Sequence, residues 1–114
     1  MEKIQSIDAS VIKFVMQSVY PMSIRDLNNG VHLLVNPAWD DIIGTSTEGK
    51  TLSDIANDDP IVQTNLMTCG VFDSLIQDQS LILNETFGYN SYMVHRSPII
   101  YKNKRCIIIQ VMTL

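Results

Sequence analysis

Between Ser23 and Pro37 the chain carries two short apolar-polar runs, an Asn28-Asn29-Gly30 turn between them and an Asn36-Pro37 helix start, and this stretch limits the fold more than any other. Met22, Ile24 and Asp26 alternate with Ser23, Arg25 and Leu27. Beyond the turn Val31, Leu33 and Val35 alternate with His32, Leu34 and Asn36, the period of paired strands. Asn and Gly tolerate the positive φ that a tight hairpin needs. Asn36 suits an N-cap, because its side-chain oxygen accepts from the orphan N–H groups of a first turn, and Pro37 suits N1, where no N–H is missed. A short helix is therefore expected from Pro37 to Gly44.

The rest of the chain must pack around that hairpin. At 114 residues there is room for one core and none for a doubly wound nucleotide-binding enzyme. A net charge of −4 leaves no basic surface to hold a phosphate backbone, so direct nucleic-acid binding is not expected. No apolar run is long enough to span a bilayer and no secretory leader is visible, which predicts a cytoplasmic domain. Cys69 and Cys106 lack any C-x-x-C or histidine spacing, so reduced thiols are expected.

Upstream, Ile7, Val11, Ile12, Phe14, Val15 and Val19 follow a helical period over residues 5 to 19, ended by Tyr20-Pro21. Such a stripe needs a cover, either the chain's own sheet or a second subunit. Downstream, residues 44 to 60 are polar and broken, suited to short helical turns. Asp59-Pro60 then opens a longer helix with Val62, Leu66, Cys69, Phe72 and Ile76 on one side. After Asp78 three strand-like runs follow, Leu81 to Phe87, Tyr92 to Tyr101 and Arg105 to Leu114. Pro98 cannot donate to a ladder, so its strand must bulge or turn an unpaired edge there.

The segment MSIRDLNNGVHLLVNPAWDDIIGTSTEGKTLSDI resembles the front half of a PAS domain. The resemblance rests on Asn36-Pro37-Ala38-Trp39, Ile43-Gly44-Thr45-Ser46 and Gly49-Lys50-Thr51 after a hairpin, and on Arg96-Ser97-Pro98-Ile99 before the charged turn Lys102-Asn103-Lys104. It is strong over residues 22 to 55 and weaker elsewhere. The implied fold is α/β (α+β): a five-stranded antiparallel sheet from residues 22–27, 31–36, 80–87, 91–101 and 104–114 with helices on one face. Residues 1–20 would form an N-terminal flanking helix and 21–114 the PAS domain.

The resemblance also implies a function. PAS domains are sensory and regulatory modules that bind a small molecule or a partner and dimerise to control an output domain. The Ser-Ile-Arg-Asp-Leu opening and the charged-turn ending resemble PAS domains fused to LuxR-type helix-turn-helix regulators; sensor kinases and cyclic-dinucleotide synthases carry similar domains. A homodimer through the N-terminal helix is implied. The Ile107-Ile108-Ile109 strand, running uncapped to Leu114, predicts a linker and an output domain beyond it. Ligand-contact candidates are Trp39, Arg25, Asn36, Tyr92 and Phe72. Trp39 stands either in the core or at the family's cavity between sheet and helices.

Other chemistries fit less well. Gly44-Thr45-Ser46-Thr47-Glu48-Gly49-Lys50-Thr51 satisfies G-x-x-x-x-G-K-[ST], but a phosphate-cradling loop needs a buried parallel strand before it and a long helix after Lys50. Here a capped helix precedes it and a polar break follows. Haem-binding PAS domains place their proximal histidine on the long helix, and residues 60 to 78 hold none; flavin-adduct members use an Asn-Cys-Arg context, whereas Cys69 sits in Thr68-Cys69-Gly70-Val71. Haem and flavin are thus disfavoured and no metal site is expected. Asp40-Asp41 and Asp58-Asp59 are adjacent pairs that cannot face one another across a substrate, and no Ser or Cys has a histidine nearby, so no enzyme is expected.

Overall fold

A computed structural model describes residues 2–56, 73, 79–87 and 90–112. In chain order the elements are α1 (Glu2–Gln17), β1 (Met22–Asp26), β2 (His32–Val35), α2 (Pro37–Ile43), α3 (Leu52–Ala56), β3 (Leu81–Phe87), β4 (Asn90–Tyr101) and β5 (Lys104–Met112). The long helix expected from Pro60 lies outside the described residues, apart from Asp73, which is helical.

The strands form one antiparallel sheet in the order β2-β1-β5-β4-β3. The last strand is therefore central. Alternation sends Ile107, Ile109 and Val111 to one face, where they pack with Trp39 and Val94 and with Leu27, Val35, Ile42, Leu52 and Leu81 at the margin. Cys106 goes to the other face, with Met22, Ile24, Tyr101 and Val15. We call these the inner and outer faces.

Helix α1 covers the outer face. Val15 is fully buried there, with Val11 and Ile12 packed beside it, and Asp8 Oδ1 accepts from the backbone N–H of Lys102 at 3.3 Å. Of the two covers open to the apolar stripe, the chain's own sheet takes this part. Phe14 stays 60% exposed and Val19 85% exposed.

The hairpin departs from simple alternation. Ile24 pairs with Leu34 but Arg25 pairs with His32, so Leu33 is an extra residue in β2, a bulge. Strict alternation puts His32 on the face opposite Val35. The bulge returns both to the inner face, where His32 is 1% exposed opposite Arg25. The loop itself follows its sequence: Asp26 Oδ1 accepts from Asn28 N–H at 2.7 Å, Asn29 Oδ1 accepts from Val31 N–H at 2.9 Å, and Gly30 supplies φ 73°.

Of the two alternatives at Pro98, the unpaired edge is the one found. Its register with Ile107 is regular, while pairing to β3 stops at Leu81 opposite Arg96. At the next turn Lys102 and Asn103 both take positive φ, 51° and 62°, closing a two-residue connection between Tyr101 and Lys104.

Candidate functional site: a buried charged ladder on the inner face

Strand phase, together with the Leu33 bulge in β2, aims Ser23 and Arg25 of β1, His32 of β2, Glu85 of β3 and Arg96 of β4 at the inner side, each no more than 3% exposed. Charges so deep in an apolar layer persist only when paired. They are paired in a chain. Asp73 Oδ1 accepts from Arg25 Nη2 at 2.9 Å and from Arg96 Nε at 2.7 Å. Glu85 grips the other edge of Arg96 in a fork, Oε1 accepting from Nη2 at 2.7 Å and Oε2 from Nη1. Burial alone pulls the Arg96 guanidinium down, but the hydrogen bonds and charges of Glu85 and Asp73 outweigh it and raise it above its ordinary value.

Arg25 ends this ladder beside two rings. Its guanidinium carbon lies 5.7 Å from the Trp39 ring centroid, within cation–π range, and the His32 ring centre is 5.9 Å from that of Trp39. His32 Nδ1 is 2.7 Å from the carbonyl of Lys50, which only accepts, so the ring proton sits on Nδ1 and Nε2 is left to accept from Arg25 Nη1 at 3.4 Å. Burial, with the Arg25 charge adding to it, lowers the imidazole to about 4. The ring is neutral at pH 7.

Trp39 is fixed from its backbone. Asn36 Oδ1 accepts from Trp39 N–H at 3.0 Å as the α2 N-cap and from Met22 N–H at 3.1 Å, while its Nδ2 donates to the carbonyls of Val15 at 3.1 Å and Tyr20 at 2.8 Å. With two donors and two acceptor positions engaged, Asn36 has no capacity left for a ligand. At the far end of α2, Gly44 closes the helix at φ 91° and Asp40 Oδ1 holds Thr47 through both its N–H and its hydroxyl.

Among the described residues, three polar atoms on this face are buried without a hydrogen-bond partner: Ser23 Oγ, Arg25 Nε and Trp39 Nε1. Buried donors in folded proteins are nearly always satisfied, so these orphaned groups on one side of the sheet mark a place for something else. Beside Asp73, a cleft of about 240 Å³ opens between the β1–β2 turn and the start of α3, lined by Leu27, Gly30, Thr51 and Leu52 among others.

Of the expected contact residues, Trp39 and Arg25 thus stand together. Asn36 is committed to the cap. Tyr92 lies on the same face, opposite Glu85 and packed on the margin of the core; Phe72 is outside the described residues. Sequence reasoning missed His32, Asp73, Glu85 and Arg96. Glu85 and Arg96 had a signal: each falls in phase with apolar neighbours, Leu81 and Leu83 for one and Val94 for the other.

The loop from Gly44 to Thr51 follows a seven-residue helix and precedes one of five residues, and Lys50 is exposed. A helix rather than a strand leads into this loop, unlike a phosphate cradle. Among the described residues, Ser23 Oγ has no hydrogen-bond partner and so no base beside it. Among the described residues, no three of His, Cys, Asp and Glu gather as for a metal, and no helix is long and apolar enough to cross a membrane. Cys106 is a free thiol buried in the outer-face core, where burial and the nearby Asp26 push it up to about 11; Cys69 lies outside the described residues.

No family model matches the chain, and no curated protein matches it. Solved structures do. The phage VqmA–DPO complex superimposes with TM-score 0.75 at 19% identity, over 97% of this chain and 54% of that one. The Vibrio cholerae VqmA dimer, a LuxR-type receptor, gives 0.66 at 15%, over 93% and 51%. The PAS domain of Bordetella pertussis BvgS gives 0.64 at 16%, over 100% and 88%. This chain spans about half of each VqmA chain and most of the BvgS domain. The five-stranded antiparallel sheet with its helices is the PAS fold.

Proposed function

We propose that this chain is the sensory domain of a signal-transduction protein, residues 1–20 serving as a flanking helix and 21–114 as the PAS domain. It binds a small molecule on the inner face of the sheet and controls an output domain, in the first instance a DNA-binding transcription regulator. The observation that carries this reading is the set of buried, unpartnered polar atoms of Ser23, Arg25 and Trp39 beside the arginine ladder. The likeness to VqmA, seen in complex with DPO and as a LuxR-type receptor, supports both the ligand and the output. The domain performs no chemistry of its own and works in the cytoplasm.

Native mass spectrometry of freshly purified chain tests the reading. A non-covalent adduct of small mass, lost on Arg25→Ala together with a change in Trp39 fluorescence, is the expected result. A bare chain whose Trp39 emission is unmoved by small-molecule extracts of its host would leave a ligand-free interaction module.

We further propose that the domain works as a homodimer. Val15 is committed to the outer sheet face, so the surface left for a second copy is the far side of α1 and the bend after it, where Phe14, Met16 and, past the helix end, Val19 are exposed. A kinase or cyclic-dinucleotide synthase output would use the same surface.

A further inference from the structure

One corner of the outer face, across the sheet from the charged ladder, gathers two thioethers and an imidazole. Met93 of β4 stands directly opposite Met112 of β5, and His95 is the next residue of β4 on that face. Directly opposite residues of an antiparallel pair have Cα atoms about 4.5–5.5 Å apart, and same-face neighbours along one strand lie about 7 Å apart. Methionine is unbranched and turns about three bonds, so the two sulfurs and the ring reach a common point without moving the backbone.

Packing does not account for the methionine pair. Both are half-buried, and among the described residues neither joins the outer-face core around Val15. The corner is open to solvent: Ile82, opposite His95 on β3, is 55% exposed, and Asn84, opposite Met93, is exposed as well.

The histidine is oriented from behind. His95 Nε2 is 3.2 Å from Ser97 Oγ, and Ser97 Oγ is 2.7 Å from Ser80 Oγ. With Ser97 accepting from Nε2–H and donating to Ser80, Nδ1 keeps its lone pair, the way a second partner sets a ligating imidazole. The two ring nitrogens point away from one another and Ser97 lies one pleat ahead of His95, so Nδ1 looks back along β4 toward Met93.

This donor set selects its ion. Thioether sulfur and imidazole nitrogen bring no negative charge, so they suit poorly a hard cation that wants carboxylate oxygens, whereas soft thioethers favour a closed-shell monovalent ion. We propose that Met93 Sδ, Met112 Sδ and His95 Nδ1 form a binding site for a soft monovalent metal ion of the copper(I) class. Histidine and cysteine placement, from which no metal site is expected, does not count thioether sulfur. The site shares no residue with the ladder and stands independently of the sensory reading.

Silver(I), a redox-inert stand-in for copper(I), titrated into the whole chain in nitrate buffer at pH 7 tests the site. Methionine methyl resonances report it separately from the thiols of Cys69 and Cys106, which also take silver. The methyls of Met93 and Met112 are expected to move together and saturate while that of exposed Met16 stays, and zinc(II) is expected to move neither. Met93→Leu and Met112→Leu keep the bulk and remove the sulfur, and each is expected to weaken silver by at least about tenfold at the remaining methyl, as is His95→Gln. Copper(I) in competition with bicinchoninate should rank the variants in the same order. Methyls of Met93 and Met112 that respond no more than Met16, or that titrate independently of each other, overturn the site. Unchanged affinity in His95→Gln overturns the three-donor arrangement too.

Discussion

His32 and Lys50 are joined twice, the imidazole Nδ1 donating to the Lys50 carbonyl at 2.7 Å and the His32 backbone N–H donating to the same oxygen at 2.9 Å, and the His32 carbonyl also accepts from the adjoining Gly49 N–H at 2.8 Å. The loop after α2 is thereby stitched to the free edge of β2, an edge that would otherwise present unpaired groups.

Acid should undo this stitch. In the unfolded chain the imidazole takes up a proton near 6.5, while in the folded protein it holds out to about 4. The unfolded state binds more protons throughout that window, so the stabilisation is complete above about 6.5 and drains as pH falls to about 4, a change on the order of 3 kcal/mol. Urea unfolding from pH 7.5 to 4 should show the loss, and His32→Gln should flatten the slope. Equal slopes in the two proteins would mean that His32 is not the titrating group.

Asn36→Ala should cost about 3 kcal/mol, a cap together with buried groups left unbonded at Met22, Val15 and Tyr20. Asn36→Asp keeps the acceptors but points a carboxylate at two carbonyls. It should recover little at pH 7 and more below pH 4 when measured by the same unfolding curves.

Removing one partner of the ladder is expected to be worse than removing a pair. Glu85→Leu or Arg96→Met should destabilise by about 3 to 5 kcal/mol, whereas the double substitution should regain much of that loss. A strictly additive double variant would show that the fork contributes no coupling.

Phe14→Glu with Val19→Glu should convert a dimer to monomer in sedimentation at unchanged thermal stability, because neither side chain contributes to the outer-face core. Deleting residues 1 to 19 is a poorer test, since it strips Val15 from Met22, Ile24 and Tyr101. A persistent dimer in the double variant would place the interface elsewhere.

Cys106 should resist alkylation at pH 8 in the folded chain, with a thiol pushed up to about 11 and no exposed surface, and react once urea is added. Mass mapping of the labelled peptide separates it from Cys69.

Local chemistry made most of the fold legible. Asn28-Asn29-Gly30, Asn36-Pro37 and Lys102-Asn103 each encode a turn or cap within a few residues, and strand phase followed from runs such as Arg105 to Val111. What could not be read was non-local. The Leu33 bulge is a register between strands, and it alone decides which face His32 occupies. Asp73 meets Arg25 across 48 positions and Arg96 across 23, distances over which a sequence offers no pairing rule. Trp39 and Arg25 were expected to face one space, but the stacking of the guanidinium near the indole was not legible.

Asn36 is a hinge pin with no play. Its oxygen carries the N–H groups of Met22 and Trp39 and its nitrogen carries the Val15 carbonyl in the last turn of α1 and the Tyr20 carbonyl in the linker after it, so four segments hang on one planar amide. An amide cannot stretch, and rotating it to follow one neighbour breaks its bonds to the others. Any tilt of α2 that accommodates a molecule against the indole must therefore be handed on, through a few ångströms of rigid amide, to the end of α1 on the opposite side of the sheet.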